Sequence, residues 1–160
     1  MNKKIYLIFL SVSFLWTLLI YIAPVLNTAG GFPATISDFI YIFYSKTCHQ
    51  IDERSFHLIG EKVAVCSRCS SVYTGFLFSV VLYPFIRGID NLKMPPLWFL
   101  LAASAFLVLD VFLDIGGIFS NTFISRAITG GIIGFILPFY LIPGTMNFAY
   151  EIFNKYIRNK

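Results

Sequence analysis

Charged residues are scarce in this sequence. Only 12% of its 160 residues are Asp, Glu, Lys or Arg, about half the share of an average soluble domain, while 58% are hydrophobic. So little charge cannot cover a water-soluble globule of this size, which excludes an ordinary cytosolic enzyme, a nucleic-acid-binding module and a disordered tail. Three cysteines are too few, and odd in number, for a disulfide-rich secreted mini-protein. The composition predicts a small integral membrane protein whose evident partner is the lipid bilayer; it identifies no protein partner.

Four apolar segments are candidate membrane spans, because a spanning helix needs about 20 mostly apolar residues. They lie at about 5–26, 70–86, 96–118 and 127–143. The first is too long for the apolar region of a signal peptide, so we interpret it as a retained helix. The sequence therefore predicts one membrane domain over residues 1–160, an all-α bundle of four transmembrane helices, with a long extracytoplasmic loop between helices 1 and 2.

The distribution of basic residues predicts the orientation. Four spans place both termini on the same side, and cytoplasmic segments carry an excess of Lys and Arg. With the termini cytoplasmic, seven of the 12 basic residues lie inside, namely Lys3, Lys4, Arg87, Lys93, Lys155, Arg158 and Lys160. We therefore expect a multi-pass protein of the cell (inner) membrane with both termini in the cytoplasm.

Two further segments, at about 35–46 and 146–158, have an apolar helical face and are too short to span. Each is expected either to lie in the plane of the membrane interface or to pack on the bundle. Gly30, Gly31 and Pro33 mark a break before the first of them.

The predicted outer loop and the start of the second helix carry all three cysteines and both histidines. Cys66 and Cys69 form a Cys-x-x-Cys pair where a helix begins, a position that favours thiolates. Together with Cys48 and His49 they would complete a tetrahedral Cys₃His set, which suits zinc, or iron. His57 is an alternative fourth ligand. The competing interpretation is a disulfide or redox-active dithiol formed by Cys66 and Cys69, which leaves Cys48 free.

The third predicted helix carries two acids, Asp110 and Asp114, on one face. A carboxylate at membrane depth is costly unless paired, and marks a candidate functional site. Arg126 begins the fourth helix on the same side, so we expect an ion pair between Asp110 and Arg126, with Asp114 as the alternative acid. Two acids against one arginine require a proton, a metal or a second cation, for which Arg68 and Arg54 are the candidates.

The fourth helix also contains Gly130 and Gly134, a spacing of four that allows another helix to approach closely. Tyr73 lies one turn after Cys69 and is a further candidate for the site, although an aromatic residue at that position more often only packs.

These residues resemble the signature of a family of prokaryotic membrane proteins, domain of unknown function 2085. The resemblance runs from Cys48 to Gly134 and rests on the following stretches: Cys48-His49-Gln50, Glu53-Arg54-Ser55-Phe56, Cys66-Ser67-Arg68-Cys69, Tyr73-Thr74-Gly75, Asp110, Arg126 and Thr129-Gly130. It implies that His49 is the fourth ligand, because His57 matches no motif position. The family often has Gln where Asp114 stands.

Three functions compete at this point. The first is a membrane metalloprotein with a Cys₃His zinc-type site at the extracytoplasmic mouth of the bundle, next to a buried pocket of Asp110 and Arg126 as tentative catalytic residues. The second is a membrane thiol–quinone oxidoreductase that uses the Cys-x-x-Cys pair. The third is a small ion or proton-coupled transporter that uses the buried carboxylates. The sequence indicates no substrate and no oligomeric state.

Overall fold

A computed structural model describes residues 2–118 and 120–158. Lys160, one of the cations counted for the orientation, lies outside these residues. The described chain forms helices α1 Asn2–Ala29, α2 Gly31–Ser45, α3 Ser67–Ile86, α4 Trp98–Ile115, α5 Phe123–Ile136 and α6 Pro138–Arg158, strands β1 Ser55–Leu58 and β2 Glu61–Cys66, and a 3-10 turn at Asp52–Arg54.

Four helical stretches are long and apolar enough to cross a membrane: α1, α3, α4 and the stretch Phe123–Lys155, which joins α5 to α6. The four predicted spans are thereby confirmed by length and composition. The helix predicted over 127–143 is interrupted at Leu137. The reason is Pro138, which has no N–H for an intrahelical bond and begins α6 instead. The segment predicted at 146–158 continues α6.

Helices α1 and α3 run antiparallel. The hydroxyl of Tyr6 donates to the carbonyl oxygen of Val80 over 3.2 Å, and that of Thr17 donates to the carbonyl oxygen of Tyr73 over 3.4 Å. The middle of α1 therefore lies level with the first turns of α3, which carry the Cys-x-x-Cys pair.

Helices α3 and α5 are in backbone contact. A Cβ atom added to Gly130 would lie 2.5 Å from the carbonyl oxygen of Arg68, and one added to Gly134 would collide with the carbonyl oxygen of Val72. The predicted close approach at these two glycines is confirmed, and the helix that approaches is α3. This contact brings the N-terminal turn of α3 against α5.

The segment between the first two spans is folded. Helix α2 turns back along α1, where Ser37 donates to the carbonyl oxygen of Ala23 over 2.8 Å and Tyr44 donates to that of Trp16 over 2.7 Å. For the segment at 35–46, the structure therefore shows the packing alternative. Its outward face leaves aromatic side chains exposed, with Phe39 at 69% and Phe43 at 51%.

A two-stranded antiparallel hairpin follows α2, so the prediction of an all-α fold was wrong in this segment. Its two-residue turn has positive φ at both Ile59 and Gly60, the conformation that type I′ hairpin turns require. β2 packs against the C-terminal half of α1 through three consecutive buried residues, Val63, Ala64 and Val65. The hairpin thus holds the start of α3 against α1.

Candidate metal centre

The three cysteines converge from separate elements. Cys48 follows the last turn of α2, where its N–H donates to the carbonyl oxygen of Tyr44 over 2.9 Å. Cys66 ends β2 and caps α3, and Cys69 lies in the first turn of α3. Their three sulfur atoms all lie within 4.8 Å of one another. Three of the four predicted ligands are therefore brought together.

The segment after Cys48 is held by Gln50, a residue whose role the sequence reasoning missed. Gln50 has a φ of 51°, and its side-chain amide donates to the carbonyl oxygens of Tyr41 over 2.7 Å and Ala64 over 2.8 Å. It thereby ties the turn that carries Cys48 to both α2 and β2. Its place in the Cys-His-Gln stretch was the available signal.

The surroundings of Cys48 favour its thiolate. Hydrogen bonds from the side chain of Cys66, then from Cys69 and from the backbone N–H groups of Cys66 and Gln50, lower the pKa of the Cys48 thiol well below its usual value. The N–H of Cys66 lies 3.1 Å from the Cys48 sulfur.

The sulfur spacing fits a thiolate-bound metal. A zinc–sulfur distance of about 2.3 Å with tetrahedral geometry requires sulfur atoms about 3.8 Å apart. The observed limit of 4.8 Å is within about 1 Å of that spacing, so small side-chain rotations suffice. All three cysteines are free thiols in this structure.

The two histidines occupy different surroundings. His49 is exposed and lies on the wall of the cavity beside the cysteines, but it is not part of the group of ligands within 4.8 Å. His57 lies on β1, where its Nε2 is 3.4 Å from a carboxylate oxygen of Asp52, away from the cavity lining.

The cavity beside the cysteines has a volume of about 230 Å³. Its walls come from the end of α2, the 3-10 turn, and the facing ends of α3, α4 and α5, through Thr47, Cys48, His49, Ile51, Arg54, Cys66, Arg68, Cys69, Asp114 and Arg126. Tyr73 is not among the lining residues. Its ring packs on Trp16 at 5.6 Å and borders a separate apolar groove between α1 and α3.

The structure pairs both membrane carboxylates with arginines, but in a different arrangement from the main expectation. Arg68 donates to Asp110 over 2.6 Å, and Arg126 donates to Asp114 over 3.3 Å. Among the described residues, Asp110 and Arg126 are not an ion pair, so the expected pairing was wrong and the alternative acid was correct. The reason is the α3–α5 contact, which brings Arg68 to the deeper of the two acids.

Asn121 joins the two ion pairs, and the sequence reasoning missed it. Its side-chain amide donates to a carboxylate oxygen of Asp110 over 3.1 Å, and its backbone N–H donates to Asp114 over 3.0 Å. Thr129 adds a bond of 3.3 Å to Asp110. Asn121 lies in the α4–α5 connection, where polar residues are common, so its role left no distinct signal.

Arg54 is the third arginine of the cavity. It is exposed, and among the residues that the structure describes no carboxylate oxygen lies within 4.0 Å of it. Arg54 therefore has no direct ion-pair partner among the described residues, whereas Arg68 and Arg126 each have one.

Comparison with known proteins supports a membrane protein. Residues 48–140 match the model of the family described as "Predicted membrane protein (DUF2085)". An uncharacterised protein of Methanocaldococcus jannaschii is 38% identical over 154 residues, which cover 94% of this chain and 99% of that protein. No solved structure matches the chain.

Proposed function

Since the chain belongs to the DUF2085 family of predicted membrane proteins, we propose that it is a membrane metalloprotein in which Cys48, Cys66 and Cys69 hold a zinc-type ion. The single observation that carries this proposal is the convergence of three sulfur atoms within 4.8 Å beside a polar cavity. A structural zinc site is closed by four protein ligands, whereas a reactive site keeps one position open.

His49 is our proposed fourth protein ligand, and its position on the cavity wall supports it. Because its side chain is exposed, it would have to turn inward to reach the ion. We propose that His49 binds and leaves the ion readily. The fourth position would then be labile and open to the cavity. A bound zinc or iron ion with such a position supplies Lewis-acid chemistry.

The two ion pairs define the proposed roles of the remaining site residues. Asp110 and Asp114 hold Arg68 and Arg126 against the cavity, with their guanidinium groups pre-oriented. Arg126 and Arg68 line the cavity and would contact a ligand, whereas Asp110 lies behind Arg68 and would act as a positioning residue. The proposed contribution of Tyr73 is limited to packing.

We propose that the site faces the extracytoplasmic side of the cell (inner) membrane, with both termini in the cytoplasm. The end of the bundle opposite the cysteines contains the N-terminus, where Asn2 donates to Asp90 over 3.0 Å. The support for this orientation is the count of basic residues, of which seven lie on the proposed inner side and five on the proposed outer side.

The test is the metal content of the protein purified in detergent, measured by elemental analysis together with free-thiol counts before and after chelation. We expect about one metal per chain, and thiols that react only after chelation. Cys48→Ser, Cys66→Ser and Cys69→Ser should each lose most of the metal, because an incomplete thiolate set binds more weakly. His49→Ala should weaken retention, and His57→Ala is the matched control that should not.

Metal retention in all three serine variants would contradict the proposal. Loss of metal in His57→Ala with retention in His49→Ala would show that the fourth ligand is misassigned.

A thiol–quinone oxidoreductase is the second candidate, favoured by the apolar groove of about 330 Å³ bordered by Trp16 and Tyr73. Cys66 and Cys69, which line the neighbouring cavity rather than this groove, would pass two electrons and two protons to a quinone, giving a disulfide and a quinol. A metal-free protein with a reducible disulfide would favour this candidate. A proton-coupled transporter is supported least, since both carboxylates already have arginine partners.

A further inference from the structure

We infer that the cavity beside the three cysteines binds a small oxyanion, a carboxylate or a phosphate, which takes the fourth position of the metal ion. This inference rests on the proposed metal centre and deepens it, because it names the chemical class of the ligand. It is carried by the charges that line the cavity and by the way in which they are held.

The cavity lining contains three arginines and one acid. The arginines are Arg54, Arg68 and Arg126, and the acid is Asp114. Asp110 is bound to Arg68 but is not a lining residue. With a divalent ion bound by three thiolates, the metal group carries one negative charge. The two acids match two of the arginines, and the charge of Arg54 balances that of the metal group, so the lining and the metal together are close to neutral. Arg54 has no carboxylate within 4.0 Å among the described residues, so its N–H donors remain available to an oxyanion. A cationic ligand would instead meet two acids that are already paired with arginines.

The paired arginines retain donors for a ligand. A guanidinium group has five N–H bonds in a planar fork that matches the oxygens of carboxylate or phosphate. Arg126 and Arg68 each use one terminal nitrogen, Nη2, on their acids. Their side chains are only 11% and 24% exposed, so they are already fixed before a ligand binds. Pre-oriented donors of this kind reduce the entropy cost of binding.

The ends of two helices add to the positive potential. Cys66 caps α3, and Arg126 lies in the first turn of α5, so both helix N-termini are directed at the cavity. Helix N-termini favour negative charge. The volume of about 230 Å³ is below the range of about 300–1,000 Å³ typical of drug-sized ligands. It therefore suits a small oxyanion with a few waters rather than a lipid head group with its glycerol.

The test uses the full-length protein in detergent, loaded with Co²⁺, whose visible absorption reports the ligands of the metal. Acetate and inorganic phosphate are titrated separately at constant ionic strength, and cobalt content is measured in the same samples. We expect a saturable spectral change, and a binding constant weakened about tenfold or more in Arg54→Gln, because a charge-assisted hydrogen bond is lost. Arg87→Gln is the matched control, because it makes the same substitution at the C-terminal end of α3, away from the cavity.

The outcomes separate the two proposals. A saturable change that Arg54→Gln weakens and Arg87→Gln leaves alone supports the inference, and the tighter of the two anions identifies its source. One cobalt per chain with a spectrum that ignores both anions overturns the inference and leaves the metal centre standing. Equal weakening in both variants also overturns it, because the response would then be unspecific. A chain that retains no cobalt overturns both proposals.

Discussion

Replacing Gly134 by alanine should disrupt the contact on which the candidate site depends. A Cβ atom at this position would overlap the backbone carbonyl of Val72 on α3. Backbone cannot rotate away as a flexible side chain would, so the two helices must separate. At Gly130, where the corresponding distance is 2.5 Å, ordinary contact at 3.4 Å or more would need a shift of about 0.9 Å. Gly134 is tighter still, so we expect a shift of at least about 1 Å.

The magnitude follows from two opposing effects. Overpacking of a tight contact costs about 1–3 kcal/mol, and a clash with backbone belongs at the upper end of that range. Alanine returns up to about 1 kcal/mol in helix propensity. The free energy of unfolding should therefore fall by about 2 kcal/mol in Gly134→Ala. Gly131→Ala is the matched control, because a Cβ there meets nothing within 4 Å, so that variant should be neutral or slightly more stable.

The assay uses metal-free protein in which Cys66 and Cys69 are replaced by serine, so that a thiol-specific fluorescent dye can react only with Cys48 while the protein is heated in detergent. Cys48 is 5% exposed, so its reaction reports unfolding. We expect the unfolding midpoint of Gly134→Ala to lie clearly below that of Gly131→Ala. Equal midpoints for the two variants would refute the close α3–α5 contact. The same separation should also displace the first turn of α3, which carries Cys69, so the metal content of Gly134→Ala is expected to fall as well.

Two further predictions concern the ion pairs and the orientation. Asp110→Asn should lower the free energy of unfolding by about 2–4 kcal/mol, near or below the 3–5 kcal/mol typical of breaking a buried pair, and adding Arg68→Gln should recover at least half of this loss. Equal recovery by Arg126→Gln in a parallel double-mutant cycle would contradict the pairing. Glu53 and Met94 are both exposed, and they lie on opposite predicted sides of the membrane. In intact cells, a membrane-impermeant maleimide should label the new thiol of Glu53→Cys but not that of Met94→Cys, each measured against labelling of the native cysteines. The opposite labelling pattern would reverse the orientation and place the metal centre in the cytoplasm.

The spans and the main helix contact could be predicted from the sequence because each depends on a local pattern. Apolar runs of spanning length identify the membrane helices without knowledge of their partners. Gly130 and Gly134 identify a face that permits close approach. The pattern does not name the approaching helix, and that required the structure, where α3 supplies the carbonyl groups of Arg68 and Val72.

The segment between the first two spans was the least predictable part. Its hairpin depends on a two-residue turn, Ile59-Gly60, and isoleucine is unusual at a positive φ. Its stability comes from packing against α1 and from the bonds of Gln50, which join residues 9 and 14 positions away. Local propensity carries no information about such contacts. The convergence of the cysteines was expected from ligand chemistry, and the path of the chain that achieves it was not.

Membrane depth alone does not predict which arginine pairs with which acid. Asp110 and Asp114 lie one turn apart on one face, so their membrane depths differ by only about 6 Å. The sequence places Arg126 near both acids and offers Arg68 as a second cation, but it contains no signal that decides which arginine meets which acid. Arg68, in the first turn of α3, reaches Asp110 because the glycines of α5 draw α3 inward, and Arg126 then pairs with Asp114.

This second arginine also changes the chemistry expected of the site. With one arginine for two acids, the site would hold an uncompensated carboxylate and would favour a proton or a cation. With Arg68 paired to Asp110, both acids have an arginine partner, and Arg54 has no carboxylate within 4.0 Å among the described residues of the cavity. This arrangement supports the proposed binding of an anion rather than a cation. If the cysteines hold a metal ion as proposed, three thiolates leave room for one further ligand, and the arginine-lined cavity beside them is where that ligand would lie.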